Sequence, residues 1–308
     1  MKVFIVYCHP SEDSFTRNLR DAFIKGITDG GNEYVLSDLY AMDFDPDMTE
    51  EQYLRDANYR NDLFTEEDVL AEHAKINSAD AIAFIYPVFW TEAPAKLVGW
   101  FDRVWTYGFA YGEKKMKMMD KAMILCSAGH TIETLEQFGF LTSMKKVMLR
   151  DRLFQRAKKT EFVVFDGTSR EKPERNDRWD ENLVKAYEKG RDFFADSEEA
   201  FSVDDRYFTA IENSESGEVS DKTIFSYHQK DHVIWAEYSG GSVIKGFLIG
   251  TMDEKNHLHF NYQHINKDGE SRSGFCDSEP QIENGRLRFI EKWQWTMGES
   301  GTSIIEEI

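Results

Sequence analysis

Two rhythms of apolar and polar positions run along the chain, and the change from one to the other divides it. Through the first part, short β-rich runs at 3–7, 34–36, 81–86, 122–126 and 162–165 are separated by stretches at helical spacing. Phe15, Leu19, Ala22 and Phe23 fall on one helical face, as do Pro94, Leu97, Val98, Phe101, Val104 and Trp105, and again Leu183, Ala186 and Tyr187. Strands alternating with helices predict a parallel sheet with crossover helices, here a doubly wound five-stranded α/β sheet. After a last helical stretch near 191–196 the period becomes two and stays two. Runs at 223–228, 233–238, 243–250, 258–264, 274–276 and 287–295 predict strands. Turns are expected at Ser239-Gly240-Gly241, Lys267-Asp268-Gly269 and Glu283-Asn284-Gly285. This second part is expected to be a small antiparallel all-β, barrel-like domain. The expected domains are 1–197 and 201–308, with the boundary between 195 and 204.

Composition narrows the function. Lys and Arg number 37 against 56 Asp and Glu, a formal charge of -19 shared by both halves. Such a surface repels phosphate backbones, so nucleic acid is not an expected partner. The apolar run at 3–7 is too short for a signal-peptide core or a membrane span, and no other run is long enough either, so no membrane insertion is expected. Three cysteines far apart in sequence, Cys8, Cys126 and Cys276, fit neither a disulfide framework nor a zinc site, which points to a reducing, cytoplasmic compartment. His257 and His259 fall on a polar face with no third ligand, and no metal site is expected.

Candidate chemistry lies in the loops after the first, third and fourth strands, because ligands of a doubly wound sheet bind outside the carboxyl ends of its strands. In the first of these loops, Ser14 is placed to cap a helix whose free N–H groups, with the side chains of His9, Ser14 and Thr16, suit a phosphate. Asp13 is expected to turn outward, and no Gly-x-Gly-x-x-Gly motif is present. In the second loop, Pro87-Val88-Phe89-Trp90-Thr91-Glu92-Ala93-Pro94 sets apolar surface beside free N–H groups, which suits a flat heteroaromatic ring. Core packing of Phe89 and Trp90 is the alternative. The third loop is Cys126-Ser127-Ala128-Gly129-His130-Thr131, with His130 either facing a ligand or starting a helix.

His9-Pro10 with Ser14-Phe15, the segment from Asp38 to Pro46, Tyr86-Pro87-Val88-Phe89-Trp90 with Pro94-Ala95, and Gly99 to Val104 followed by Phe109-Ala110-Tyr111 come in one order. Together they resemble the NAD(P)H:quinone oxidoreductases of the flavodoxin-like fold over roughly the first two thirds of the chain. The resemblance implies a homodimer with bound FAD or FMN, a ping-pong reaction from NADH or NADPH to a quinone or similar acceptor, and an active site at the subunit interface. It places His9, Ser14, Phe15 and Thr16 on the flavin phosphate loop, and Pro87, Val88, Phe89 and Trp90 on the ring loop. Ser127 and Gly129 approach the far edge of the ring, and Tyr111 lines the substrate pocket. His130 and Tyr111 are the expected catalytic residues. Leu135 stands about where the best-known members have a Tyr, leaving His130 to manage charge on the reduced flavin. The other readings are a regulatory subunit of a membrane transport system, and a ligand sensor using the β domain.

In that β domain, Leu258, Phe260, Tyr262 and His264 share one face, as do Leu287, Phe289, Glu291, Trp293 and Trp295. Glu237 is expected to share a comparable face with Val233 and Trp235. Polar side chains inside such a barrel either line a ligand cavity or form satisfied core hydrogen bonds.

Overall fold

The computed structural model describes residues 1–113, 115–169, 175–195, 201–283 and 286–308. Two compact units divide the chain, Met1–Ala195 and Asp196–Ile308. The expected boundary at 195–204 therefore falls partly outside the described residues, as does the turn at Asn284-Gly285.

The first unit is a five-stranded parallel sheet in the order β2-β1-β3-β4-β5. Its strands are β1 (Lys2–Tyr7), β2 (Glu33–Asp38), β3 (Ala81–Pro87), β4 (Met119–Ser127) and β5 (Ala157–Phe165). Each is longer than its apolar run, because hydrogen-bonded pairing carries a strand past the residues it buries. Buried residues of β1 alternate between two cores. Val3, Ile5 and Tyr7 pack on one face against α1 (Phe15–Asp29) and α7 (Arg175–Arg191), while Phe4, Val6 and Cys8 pack on the other against α3 (Glu67–Ser78) and α4 (Ala95–Val104). A Cβ on Gly26 of α1 would stand 2.1 Å from the Tyr187 carbonyl oxygen, and one on Gly190 of α7 2.2 Å from that of Phe23. Two glycines thus set the spacing of these helices.

Helix α2 (Glu50–Ala57) precedes α3. Between β4 and β5 the chain makes α5 (Ile132–Gln137), α6 (Phe140–Lys145) and a π-helical turn at Lys146–Arg152. No helix among the described residues is long and apolar enough to cross a membrane.

The second unit is a closed eight-stranded antiparallel barrel in which each strand pairs with its sequence neighbour and the last closes on the first. Its strands are β6 (Tyr207–Asn213), β7 (Ile224–Lys230), β8 (Val233–Gly240), β9 (Val243–Met252), β10 (Leu258–Asn266), β11 (Ser271–Glu283), β12 (Arg286–Trp295) and β13 (Ser300–Glu307). The sequence reading lacked β6 and β13, the two strands of the closing seam, and held only a fragment of β11. Positive φ angles at Gly240, Gly241 and Gly269 make two of the expected turns. Burial alternates along the strands: Leu258, Phe260 and His264 point inward, as do Leu287, Phe289, Glu291, Trp293 and Trp295. Glu237 corrects the sequence reading. It faces outward with Val233 and Trp235 and pairs with Lys245, because the inward positions of β8 are Ile234, Ala236 and Tyr238.

Candidate functional site

Three loops meet at the carboxyl ends of β1, β3 and β4. Ser14 caps α1, its Oγ accepting the Arg17 N–H at 3.1 Å. The His9 Nδ1 accepts the Ser11 N–H at 2.9 Å and holds the turn before the helix. Burial lowers the imidazole's pKa from its ordinary value, in keeping with a ring nitrogen that accepts. Thr16 is buried, its hydroxyl 2.8 Å from that of Ser127 at the end of β4. Phe15 is buried against Trp179, ring centroids 4.9 Å apart. The side chains of His9, Ser14, Phe15 and Thr16 are thus spent on shaping the loop. What it offers a ligand is the backbone of the first turn of α1, whose N–H groups have no intrahelical acceptor. Asp13 is exposed. Beside this loop lies a polar hollow of about 340 Å³ reaching Arg17, Arg20 and Tyr40.

The second loop is a tight hairpin. Phe89 and Glu92 exchange backbone hydrogen bonds, the Phe89 N–H donating to the Glu92 carbonyl at 2.8 Å and the Glu92 N–H to the Phe89 carbonyl at 3.0 Å. Between them Trp90 and Thr91 have φ of +53° and +66°. Two successive left-handed residues make the primed turn that glycine and asparagine favour, and a Trp followed by a β-branched Thr holds it at a cost of about 1 to 3 kcal/mol each. Trp90 is 99% exposed, which rules out core packing for its ring. Phe89 is also exposed, Val88 half-buried and Pro87 buried. The turn is tied down on both sides. The Val88 N–H donates to the Ser127 carbonyl at 2.8 Å, and the Glu92 carboxylate accepts the Ala93 N–H at 2.7 Å and the Arg152 guanidinium at 3.0 Å.

Glu92 lies in the second-loop segment, but its pairing with Arg152 was missed from the sequence, since sixty positions separate the two. Asp166, just after β5, was missed for the same reason. It is buried, accepts the Ile132 N–H at 2.9 Å, pairs with Arg178 at 3.1 Å, and so holds the third loop. In that loop Ser127 is buried, while Gly129 and His130 are exposed. A Cβ on Gly129 would meet nothing closer than Ser169 at 3.7 Å, so the loop leaves open space there. Leu135 belongs to the core.

Tyr111 stands in a separate aromatic group, edge-to-face with Tyr107 at 5.7 Å between centroids, and Tyr107 in turn edge-to-face with Tyr59 at 5.2 Å. Burial raises the pKa of its phenol. Among the described residues no hydrogen bond joins Tyr111 or the His130 side chain to the Trp90 turn. The first loop, the second loop and Ser127 are therefore brought together by direct bonds; Tyr111 and His130 are not.

Two family models match the chain. One described as flavodoxin-like fold matches residues 1–189, and one described as avidin-like protein matches residues 201–308. Among solved structures, an NAD(P)H:quinone oxidoreductase from Methanothermobacter marburgensis is 42% identical, with a TM-score of 0.60, covering 63% of this chain and 96% of that one. Among curated proteins, NAD(P)H dehydrogenase [quinone] 1 of Rattus norvegicus is 36% identical over 124 residues, which are 36% of this chain and 45% of that protein. A protein of Haemophilus influenzae called an uncharacterized NAD(P)H oxidoreductase is 32% identical over 155 residues, covering 48% and 75%. The chain spans about half the length of the first curated relatives it matches. By the model match over 1–189 and by the sheet order that those residues adopt, the chain belongs to the flavodoxin-like fold family.

Proposed function

We propose that the first unit is a flavin-dependent NAD(P)H oxidoreductase that passes two electrons, by a ping-pong route, to a quinone or similar small acceptor. The observation that carries this reading is the strained turn at Trp90 and Thr91, with the Trp90 ring fully exposed, bonded to the strand end that also anchors the first loop. The likeness to the oxidoreductase of Methanothermobacter marburgensis, over nearly its whole length, supports the same reading.

When bound, the flavin, FAD or FMN, supplies the two-electron carrier between nicotinamide and acceptor. The chain's part is to bind, orient and exclude water. First-turn N–H groups of α1, shaped by His9, Ser14, Phe15 and Thr16, hold the phosphate, and the helix dipole favours its charge. Residues 87–90 would form the surface for the ring, and the Trp90 and Thr91 N–H groups, which have no acceptor among the described residues, would be free to donate to it. Ser127 ties that surface to the phosphate loop. Gly129 leaves room at the far edge, where the exposed His130 imidazole holds or releases a proton. Tyr111 lines the acceptor pocket with Tyr59 and Tyr107. The exposed apolar side chains of Tyr53, Leu54, Tyr59, Leu63 and Phe64 support a homodimer that completes this pocket.

The protein is expected to purify yellow or to take up FMN or FAD at micromolar concentration, and to oxidise NAD(P)H with quinone along parallel double-reciprocal lines. A colourless protein that takes up neither flavin overturns the proposal. Trp90→Ala is expected to change stability by no more than about 0.5 kcal/mol, because the ring is exposed. The same variant is expected to weaken flavin binding by about tenfold or more, a loss of about 1.4 kcal/mol. Equal flavin affinity in a flavin titration of both proteins would remove Trp90 from the site.

A further inference from the structure

Four strands of the barrel each place a polar residue at one level of its interior. Asn213 on β6 lies opposite Ser303 on β13, Ser303 opposite Glu291 on β12, and Glu291 opposite Ser278 on β11. Ser303 Oγ donates to one Glu291 oxygen at 2.7 Å and Ser278 Oγ stands 3.4 Å from the other. Among the described residues, two hydroxyls are all the carboxyl receives. No cation among the described residues pairs with it, and burial pushes its pKa up to about 7. Asn213 is a second unfilled acceptor. Its Nδ2 donates to the Val219 carbonyl at 2.8 Å, which fixes the amide's orientation and leaves a buried Oδ1 with no partner.

Both acceptors line one cavity of about 50 Å³ whose walls include Phe260, Tyr262, Trp293 and Trp295. A single water needs about 10 to 15 Å³, so a head group of a few heavy atoms fits. The titratable groups that sense Glu291 are Tyr227 on β7, Tyr238 on β8, Tyr262 on β10 and Cys276 on β11, none of them cationic. In the wall of the same cavity Glu218 stands 2.7 Å from His264 Nε2 and 3.2 Å from Arg272 Nε. Glu218 is thus already paired with Arg272.

We propose that the barrel binds a small organic cation, its N–H groups held by the Glu291 carboxylate and Asn213 Oδ1 and its apolar body laid against Phe260, Trp293 and Trp295. An anion would meet an unneutralised carboxylate. A ligand that only accepts hydrogen bonds would find the serine hydroxyls turned to Glu291. A cation answers both acceptors and gains the faces of the aromatic rings.

The test titrates the full chain calorimetrically with propylamine, 1-propanol and propionate, probes of nearly equal size, at about pH 8, where Glu291 is ionised. Saturable binding of propylamine is expected, about tenfold or more tighter than that of 1-propanol, with none for propionate. Lowering the pH to about 6 is expected to weaken amine binding about tenfold as Glu291 takes up its proton, while the amine stays charged. His264→Gln, in the wall of the same cavity, should leave that slope in place. Glu291→Gln should abolish the preference for amine over alcohol, and Glu237→Gln on the outer wall should leave it intact. The isostere comparison and the pH slope need no variant, so they decide even if Glu291→Gln does not fold. No saturable heat with propylamine, equal binding of amine and alcohol, or affinity that rises toward low pH would each overturn the proposal.

Discussion

Trp100→Ala is expected to destabilise the first unit by about 3 to 5 kcal/mol, the cost of deleting a fully buried Trp. The ring is completely enclosed and lies 5.6 Å from Phe84 and 5.1 Å from Trp105 between centroids. Its Nε1 donates to Glu72 at 2.8 Å. Glu72 is itself fully buried, and its other oxygen accepts from Ser37 at 2.9 Å and pairs with Lys75 at 2.6 Å. Alanine opens a cavity and also strips a donor from a buried carboxylate. Trp100→Phe separates the two effects: it keeps most of the volume and should cost about 1 to 3 kcal/mol for the unsatisfied oxygen. Urea titration of both variants is the measurement, and an unchanged midpoint for Trp100→Phe would mean that the hydrogen bond contributes nothing. Because α4 begins directly after the Trp90 turn, Trp100→Ala is also expected to weaken the flavin binding proposed for that turn.

Glu291→Gln is expected to stabilise the barrel at about pH 8 and to leave it nearly unchanged at about pH 5. In the folded chain burial raises this carboxyl from the ordinary 4.5 to about 7. Between those values the folded state keeps a proton that the unfolded state has released, so stability is highest below about 4.5 and falls as pH rises toward 7. At about 1.4 kcal/mol per pKa unit, that fall is about 3 kcal/mol, and the neutral amide avoids it. The measurement is a urea titration of the full chain at both pH values, with the barrel transition followed by pulsed hydrogen exchange of peptides from β11 to β13. A variant that keeps the wild-type pH slope would show that Glu291 is not its source.

Much of the fold was legible because the relevant signals are local. All five parallel strands were found from apolar runs, since the inner strands, buried on both faces, carry their signature in contiguous residues and the edge strands β2 and β5 still keep a short apolar run. The inward face of β12 was likewise visible as Leu287, Phe289, Glu291, Trp293 and Trp295 at every second position. The seam strands were not visible. β6 buries little beyond Phe208 and Ala210, and β13 buries Ser303 and Ile305. Glu212, Glu306 and Glu307 interrupt any alternation that would announce them, and Glu306 is there to meet Arg286 and Arg288 across the pair. The direction in which β8 faces was misread at Glu237 for a related reason: both faces of that strand carry large apolar residues, so a period of two does not say which one is inside.

The candidate site divides in the same way. The sequence by itself determined which loops end the strands, where α1 is capped, and that Pro87 to Trp90 are an apolar run in the second loop, because caps, turns and motifs are written in neighbouring residues. Tertiary structure alone decided that Trp90 is exposed rather than core, since an aromatic residue in a loop has the same sequence signature in both states. Only the folded chain joined Thr16 to Ser127 and Glu92 to Arg152, and set Asn213, Ser303, Glu291 and Ser278 in one row. Contacts between residues far apart in sequence depend on strand order, register and closure. These are settled by the burial of whole faces together, a cooperative outcome that no short window of sequence contains.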